Sequence, residues 1–149
     1  MSVSCLEKIV CSFPFFYPLV ASKKAIEAQS KAEDSISKAK DLHLLAANIH
    51  AIYSRRGAVS PHASELQETK IANLDDAAVR LEKKRIYCVC GIASNILSIA
   101  IISVVALSLF PIFAVAAAPF IVWTGTCIYD IYETNKSFES IKELKDPPG

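Results

Sequence analysis

The longest apolar stretch of this chain, Ile86–Tyr129, has 44 residues and no charged side chain. One helical crossing of a bilayer needs roughly 20 apolar residues, so the stretch is long enough for two crossings and too long for one. Pro111 lies near its middle, and proline is favoured at the first position of a helix. The pattern therefore predicts a transmembrane hairpin, with crossings at 86–109 and 111–129 and a turn at Phe110 and Pro111.

The alternative interpretation of this stretch is a buried pair of helices in a soluble bundle, although such helices usually carry a polar face. Here Asn95, Trp123 and scattered serines and threonines are the most polar groups. Asn95 is expected to find a hydrogen-bond partner across the hairpin or between chains. Pro119 has no amide N–H, so it is expected to kink or interrupt the second crossing.

The charged residues on either side of the hairpin predict its orientation. Thirteen of the sixteen basic residues precede it and three follow it. Four of them stand directly before the first crossing and are expected to determine topology: Arg80, Lys83, Lys84 and Arg85. Basic flanks stay in the cytosol, and two crossings return the chain to its starting side, so both termini are expected to be cytosolic.

The polar regions, residues 22–85 and 130–149, have the composition of helices. Ser22–Tyr53 contains no proline or glycine and is rich in good helix formers. Small and apolar residues recur in it with a heptad spacing, which predicts an alanine-rich, coiled-coil-like seam. The half of this seam in Leu42–Tyr53 is expected to be the more adhesive one. The seam comprises Ala25, Ala28, Ala32, Ser35, Ala39, Leu42, Ala46, Ile49 and Tyr53.

A glycine and a proline divide the polar region that precedes the hairpin. Gly57 is expected to end the first helix, and Ser60-Pro61 to begin the next, which is predicted to run unbroken into the first crossing. This second helix has an apolar stripe at Ile71–Leu81, and the tail after the hairpin has another at Ile131–Leu144. The predicted fold class is therefore all-α, a two-helix transmembrane hairpin with helical cytosolic arms.

The cytosolic stripes are expected to pack together as a small bundle, with Leu42–Tyr53 folded back on both of the others. In the alternative, the stripes bind a helix of a host protein or of another cytosolic protein. A second copy of the chain is a further candidate partner. The residues predicted to bind the partner are Leu42, Ile49, Tyr53, Ile71, Leu74, Leu81, Phe138 and Ile141.

The first 21 residues form a separate apolar segment, in which Ile9–Ala21 is broken by Pro14 and Pro18. It is too short to span a bilayer. We expect an uncleaved, poorly ordered start that touches a membrane surface or packs on the helices. A secretory signal peptide is the alternative, but two prolines interrupt its apolar region.

The sequence contains no pattern typical of an active site. It has no phosphate-binding glycine loop, nucleophile elbow or paired carboxylates, so we expect no catalysis and no cofactor. The five cysteines lack the spacing of a disulfide scaffold or a zinc site. Cys88 and Cys90 follow the basic flank and are candidate acylation sites, with free thiols as the alternative. A net charge of +1 without a basic tract argues against a nucleic-acid partner.

The layout of the chain resembles that of the inclusion membrane (Inc) proteins of chlamydiae. The resemblance rests on the bilobed stretch Ile86–Tyr129 with its central Phe110-Pro111, on the basic run Arg80–Arg85, and on the serine-rich start Met1-Ser2-Val3-Ser4. It implies a virulence effector that a type III secretion apparatus exports and that inserts into the vacuole (inclusion) membrane. It also implies termini in the host cytosol and helical arms that recruit or mimic host trafficking proteins.

Two other classes of function remain open from the sequence. The hairpin itself is the active part in a membrane-shaping or pore-forming protein such as a holin, although holins usually have smaller polar portions than Met1–Arg85. The third class is a small subunit or assembly factor of a larger membrane complex. The interpretation carried forward is a non-enzymatic membrane-hairpin adaptor.

Overall fold

The computed structural model describes residues 15–55, 62–108 and 111–145. Its elements are α1 (Tyr17–Ser54), α2 (Ala63–Ser108), a 3-10 helix (Pro111–Ala117) and α3 (Ala118–Lys145). Of the described residues, 97% are helical and none forms a strand. The all-α fold class predicted from the sequence is confirmed.

Helix α1 begins earlier than its composition predicted. Instead of Ser22, its first residue is Tyr17, and Pro18 is buried in its first turn. Proline is tolerated there because the first N–H groups of a helix have no intrahelical acceptor in any case. Residues 17–21, expected to be poorly ordered, are therefore helical, whereas residues 1–14 lie outside the described part of the chain.

The boundaries between helices follow the predicted breaks. Helix α1 ends at Ser54, just before the position at which a glycine was expected to stop it. Helix α2 then runs for 46 residues into the apolar stretch without interruption, as predicted. Gly57, Ser60, Pro61 and Phe110, on which the expected helix ends and turn depended, lie outside the described residues.

The second predicted crossing is divided into two kinds of helix. Pro111 begins a 3-10 helix that ends at Ala117, and α3 begins at Ala118. Pro119 explains the division because it cannot donate a hydrogen bond to the carbonyl of Val115, and its ring would collide with that carbonyl in an α-helix. The predicted interruption at Pro119 is thus confirmed.

The described residues divide into two compact units, each built from parts of all three helices. Residues 15–27 and 83–134 form one, which we call the hairpin unit. Residues 28–82 and 135–145 form the other, which we call the arm unit. The hairpin unit includes the uncharged stretch, and it also takes in the first turns of α1.

The arm unit is a small three-helix bundle. Its core combines alanines of α1 with larger aliphatic side chains of α2 and α3; it consists of Ala32, Ala39, Leu74, Ala77, Leu81 and Ile141, with Ile36, Ala78, Phe138 and Leu144 packed against it. The predicted packing of the α2 and α3 stripes is confirmed. The core residues of α1 lie in its alanine-rich part, whereas Leu42, Ile49 and Tyr53, in the half expected to be the more adhesive, are half-buried. Alanine lets helices approach closely, and the van der Waals attraction between the closely packed helices offsets its small apolar area.

Candidate membrane anchor and protein-binding surface

Two helices of the structure are long and apolar enough to cross a membrane, judged by length and composition. They lie within Ser64–Ser108 and Ala114–Lys145. The most apolar window of 18 residues in each helix is largely exposed. Only 28% of the window in the first helix and 11% of the window in the second is buried inside the structure. A core helix of a soluble protein is mostly buried, so these exposed fractions favour surroundings of lipid over a soluble core.

The outer surface of the hairpin unit is apolar on both crossings. Its most exposed aliphatic side chains in the uncharged stretch are Leu107, Val115, Val122, Val104, Ile121 and Ile96, which are between 58% and 89% exposed. Exposed aliphatic side chains in this number are typical of helices that contact a membrane or another protein, because water solvates them poorly.

The inside of the hairpin unit has a small core that joins all three helices. Ala25 of α1, Cys88 of α2 and Cys127 of α3 are buried together in one cluster. A Cβ atom built on Gly91 would lie 3.6 Å from Cys127 Sγ and 3.8 Å from Ala21 Cβ. Side chains of α1 and α3 therefore lie within van der Waals reach of α2 at Gly91.

The two ends of the uncharged stretch meet in the hairpin unit. Lys84 Nζ lies 3.7 Å from Asp130 Oδ1, and only 3% of the Lys84 side chain is exposed. A buried ammonium group requires such a partner, because removing its charge from water is costly. The pair joins Lys84, two positions before the uncharged stretch, to Asp130, the residue that follows it.

The four residues expected to determine topology differ in their surroundings. Lys84 is buried, whereas Lys83 and Arg85 are exposed. Arg80 Nε donates a hydrogen bond to Asp76 Oδ2 at 2.7 Å. This bond raises the pKa of Arg80 above its usual range and is opposed by partial desolvation. All four side chains therefore remain candidates for the positive flank, but Lys84 also has a structural role.

Asn95 is a polar group of the hairpin interior whose hydrogen bonds are unmet. It is fully buried, and neither its amide nitrogen nor its oxygen has a hydrogen-bond partner among the described residues. The expected partner across the hairpin is therefore not observed, and a second chain has no exposed part of Asn95 to contact. One turn further on, Ser98 Oγ donates to the carbonyl of Ser94 at 3.0 Å.

The two candidate acylation sites are not equivalent in the structure. Cys88 is 3% exposed and faces the core of the hairpin unit, whereas Cys90 is half-buried. An acyltransferase must reach the thiol, so burial excludes Cys88 unless the core opens. Cys90 therefore remains a candidate acylation site.

The residues predicted to bind a partner fall into two groups. Leu74, Leu81 and Ile141 are at most 3% exposed and form the core of the arm unit. These three are therefore corrected to core residues, because their side chains are already covered by the chain's own helices. The others are half-buried: Leu42, Ile49, Tyr53, Ile71 and Phe138.

A group of exposed apolar side chains of the arm unit lies beside this second group, near the end of α1. Leu44, Leu45 and Ile52 are 63%, 48% and 53% exposed. They belong to the 13 residues Leu42–Ser54, which include no Asp, Glu, Lys or Arg. The heptad analysis missed them because they lie off the seam. Their signal in the sequence is the absence of charge on every face of the helix at this point.

Two further features complete the arm unit. A shallow groove of about 340 Å³ lies between α1 and α3 and is lined by Glu33, Ile36, Ser37, Lys40, Ser137 and Ser140. Its mixed lining includes no cluster of groups suited to one ligand. Within residues 15–55, 62–108 and 111–145, no three His, Cys, Asp or Glu side chains are placed to hold a metal ion.

Comparison with protein-family models, with curated proteins and with solved structures gives no match for this chain.

Proposed function

We propose that this chain is a non-enzymatic integral membrane protein. Its hairpin anchors it in the membrane, and its arm unit recruits a partner protein in the cytosol. The single observation that carries the recruitment is the exposed apolar surface of Leu44, Leu45 and Ile52. The anchoring rests on the uncharged stretch and on the ion pair that closes it.

The dimensions of the two crossings support the anchor. The part of α2 from Ile86 to Ser108 has 23 residues and an expected length of about 34 Å. The 3-10 helix and the part of α3 up to Tyr129 together extend about 32 Å. The hydrocarbon core of a bilayer is about 30 Å thick, so each crossing matches it. Because Lys84 and Asp130 are paired, the uncharged stretch would enter the membrane and leave it at the same membrane surface.

The chemistry of the α1 surface supports a protein partner. Leu45 and Ile52 are seven residues apart and therefore share a face of the helix, and Leu44 lies on the adjoining face. An amphipathic helix of a partner buries side chains with this spacing in its own apolar stripe. Two histidines, His43 and His50, are the only titratable side chains between Asp41 and Tyr53. A charged ligand would therefore find little to bind there.

The finer proposal is a secreted effector in the membrane of a pathogen-containing vacuole, with both polar regions on the host-cytosol side. The bilobed hairpin, its basic flank and the helical arms support it through their resemblance to inclusion membrane proteins. Export is tested by fusing the N-terminal residues to a reporter enzyme. Secretion by bacteria with a working type III apparatus, and none by a deficient strain, would support the effector; equal retention in both would contradict it.

The anchor is tested by reconstitution of the full chain in sealed vesicles, followed by alkaline extraction. Tags are placed after Lys145 and in the α1–α2 connection at residues 56–61, and their accessibility to an impermeant protease is measured. We expect retention at alkaline pH and both tags on one side. Release by alkali, or tags on opposite sides, would contradict the hairpin.

The recruiting surface is tested with a photo-crosslinking side chain at Leu45 and, as a matched control, at Val79. Val79 is 52% exposed in the same unit but stands outside the α1 surface. We expect a crosslink from position 45 alone, and loss of binding of the crosslinked protein in the double variant Leu45→Asp/Ile52→Asp. Binding that survives the double variant would contradict the surface, and so would equal loss in Val79→Asp.

A further inference from the structure

The turn that leads into α1, at Phe15, contacts the second crossing far from the charged ends of the hairpin. The rings of Phe15 and Phe120 are packed edge to face, with centroids 5.9 Å apart and an interplanar angle of 69°. Phe120 precedes Asp130 by ten residues, which is about 15 Å along a helix. Half of a hydrocarbon core of about 30 Å is the same distance. Phe15 therefore lies against the part of the hairpin that reaches the middle of the membrane.

Two more residues of α1, Ala21 and Ala25, contact the hairpin at positions closer to its charged ends. A Cβ atom on Gly91 would lie 3.8 Å from Ala21, and Gly91 follows Arg85 by six residues, or about 9 Å of helix. Ala25 packs in the cluster of Cys88 and Cys127, closer to the charged ends. Going backwards along α1 from Ala25 to Phe15, each contact is deeper in the hairpin.

The exposed side chains of this part of α1 have the chemistry of a membrane segment. Phe16 and Leu19 are 53% and 55% exposed, and the range 15–21 has no charged residue. The first charges after this range are those of Lys23 and Lys24, in the turn that follows Ala21. Lysine has an aliphatic stem that can lie along apolar surface while its ammonium group reaches the lipid phosphates. The change from apolar to basic thus occurs where a helix leaving the hydrocarbon core meets the headgroups.

We propose that Phe15–Ala21 is a third membrane-embedded segment, which enters the hydrocarbon core beside the hairpin and leaves it at Lys23 and Lys24. This inference rests on the proposed membrane anchor and goes beyond it, because the hairpin alone requires only two segments in the bilayer. In this arrangement, lipid acyl chains cover the exposed surface of Phe16 and Leu19. In water the same two side chains would stay solvated at a cost in free energy.

The test uses tryptophan as a depth probe in the full chain. Trp123 is the chain's single tryptophan, so Trp123→Phe gives a background without one. Four variants are made in this background, each with one tryptophan. Two probe the proposed segment, Phe16→Trp and Leu19→Trp, and two are references, Ile121→Trp for the hairpin and Leu45→Trp for the arm unit. Each variant is reconstituted in phosphatidylcholine vesicles whose acyl chains are brominated near the middle or near the carbonyl end, and quenching is compared with unbrominated vesicles. Helix content measured by circular dichroism confirms that each variant folds.

We expect mid-chain bromines to quench Phe16→Trp as strongly as Ile121→Trp and to leave Leu45→Trp unchanged. Leu19 is about 4.5 Å nearer the charged end along the helix, so its variant should respond more to bromines near the carbonyl. Unquenched probes at both 16 and 19, with Ile121→Trp quenched, would overturn the third segment and leave the anchor intact. Absence of quenching at position 121 as well would overturn both proposals.

Discussion

Lys84 and Asp130 form an ion pair, 3.7 Å from Nζ to Oδ1, between residues that flank a 44-residue stretch without charge. They are 46 positions apart in the chain, yet each lies just outside one crossing. The pair brings the two ends of the uncharged stretch together, as the proposed hairpin with two crossings requires.

Removal of the carboxylate of this pair is expected to destabilise the hairpin unit. Loss of one partner of a buried pair costs about 3–5 kcal/mol, because the remaining charge has no compensation. The Asp130 side chain is 39% exposed, and screening by solvent reduces the expected loss for Asp130→Asn to about 1–3 kcal/mol. The free energy of unfolding in detergent micelles measures it.

Two further variants separate the ion pair from general effects of charge. Arg85→Gln removes an exposed charge from the same flank and should leave the free energy of unfolding within about 0.5 kcal/mol of the starting value. Lys84→Met combined with Asp130→Asn removes both charges and should recover most of the loss. A double variant as unstable as Asp130→Asn alone would contradict the pairing.

Asn95→Leu is expected to stabilise the hairpin unit. Both polar atoms of Asn95 are buried without a partner in the described part of the chain, and an unsatisfied buried group costs about 1–3 kcal/mol. Leucine fills a similar volume without that cost, so the free energy of unfolding should increase by the same order. Ser98→Ala is the control at a buried site whose hydroxyl is already bonded to its own helix. A loss of stability in Asn95→Leu would show that Asn95 has a partner in the membrane, such as a bound water.

The contact between α2 and α3 predicts a selective oxidation. In a background with Cys5, Cys11 and Cys90 changed to Ser, mild oxidation should link the thiols of Cys88 and Cys127 within one chain. The matched control keeps Cys90 and Cys127 and changes Cys88 to Ser, and it should give little intramolecular product, since Cys90 lies outside the buried cluster. Peptide mass spectrometry identifies the bond. Equal yields, or dimers linked through Cys127, would contradict the packing of the two helices.

The helical fold could be predicted because it depends on local pattern. Heptad spacing placed Ala25, Ala32 and Ala39 on one face of α1, and all three are buried. Their dominance over the Leu42–Tyr53 half could not be predicted, because the contribution of alanine depends on how closely another helix approaches. The burial of Lys84 was equally out of reach, since a basic residue before a crossing has the pattern of a solvated flank until Asp130 is placed beside it.

The candidate binding surface was predicted only in part for the same reason. An apolar stripe identifies residues that face a neighbouring helix, and the chain's own helices already cover Leu74 and Leu81 of the α2 stripe. What remains for a partner is the apolar surface off the seam, at Leu44, Leu45 and Ile52. The sequence marks its place by lack of charge, but exposure is a property of the folded bundle.

Aspartate substitutions can separate core from surface in the arm unit. Leu74→Asp buries an unpaired carboxylate at a site with no exposed area, and it should destabilise the unit by more than about 3 kcal/mol. Leu45→Asp adds a charge at an exposed position and should change the free energy of unfolding by at most about 0.5 kcal/mol, while partner binding falls. Thermal unfolding followed by far-ultraviolet circular dichroism measures the first effect, and binding of the crosslinked partner measures the second. A folded Leu74→Asp variant that loses only binding would return Leu74 to the partner surface, and the bundle core would then have to lie elsewhere.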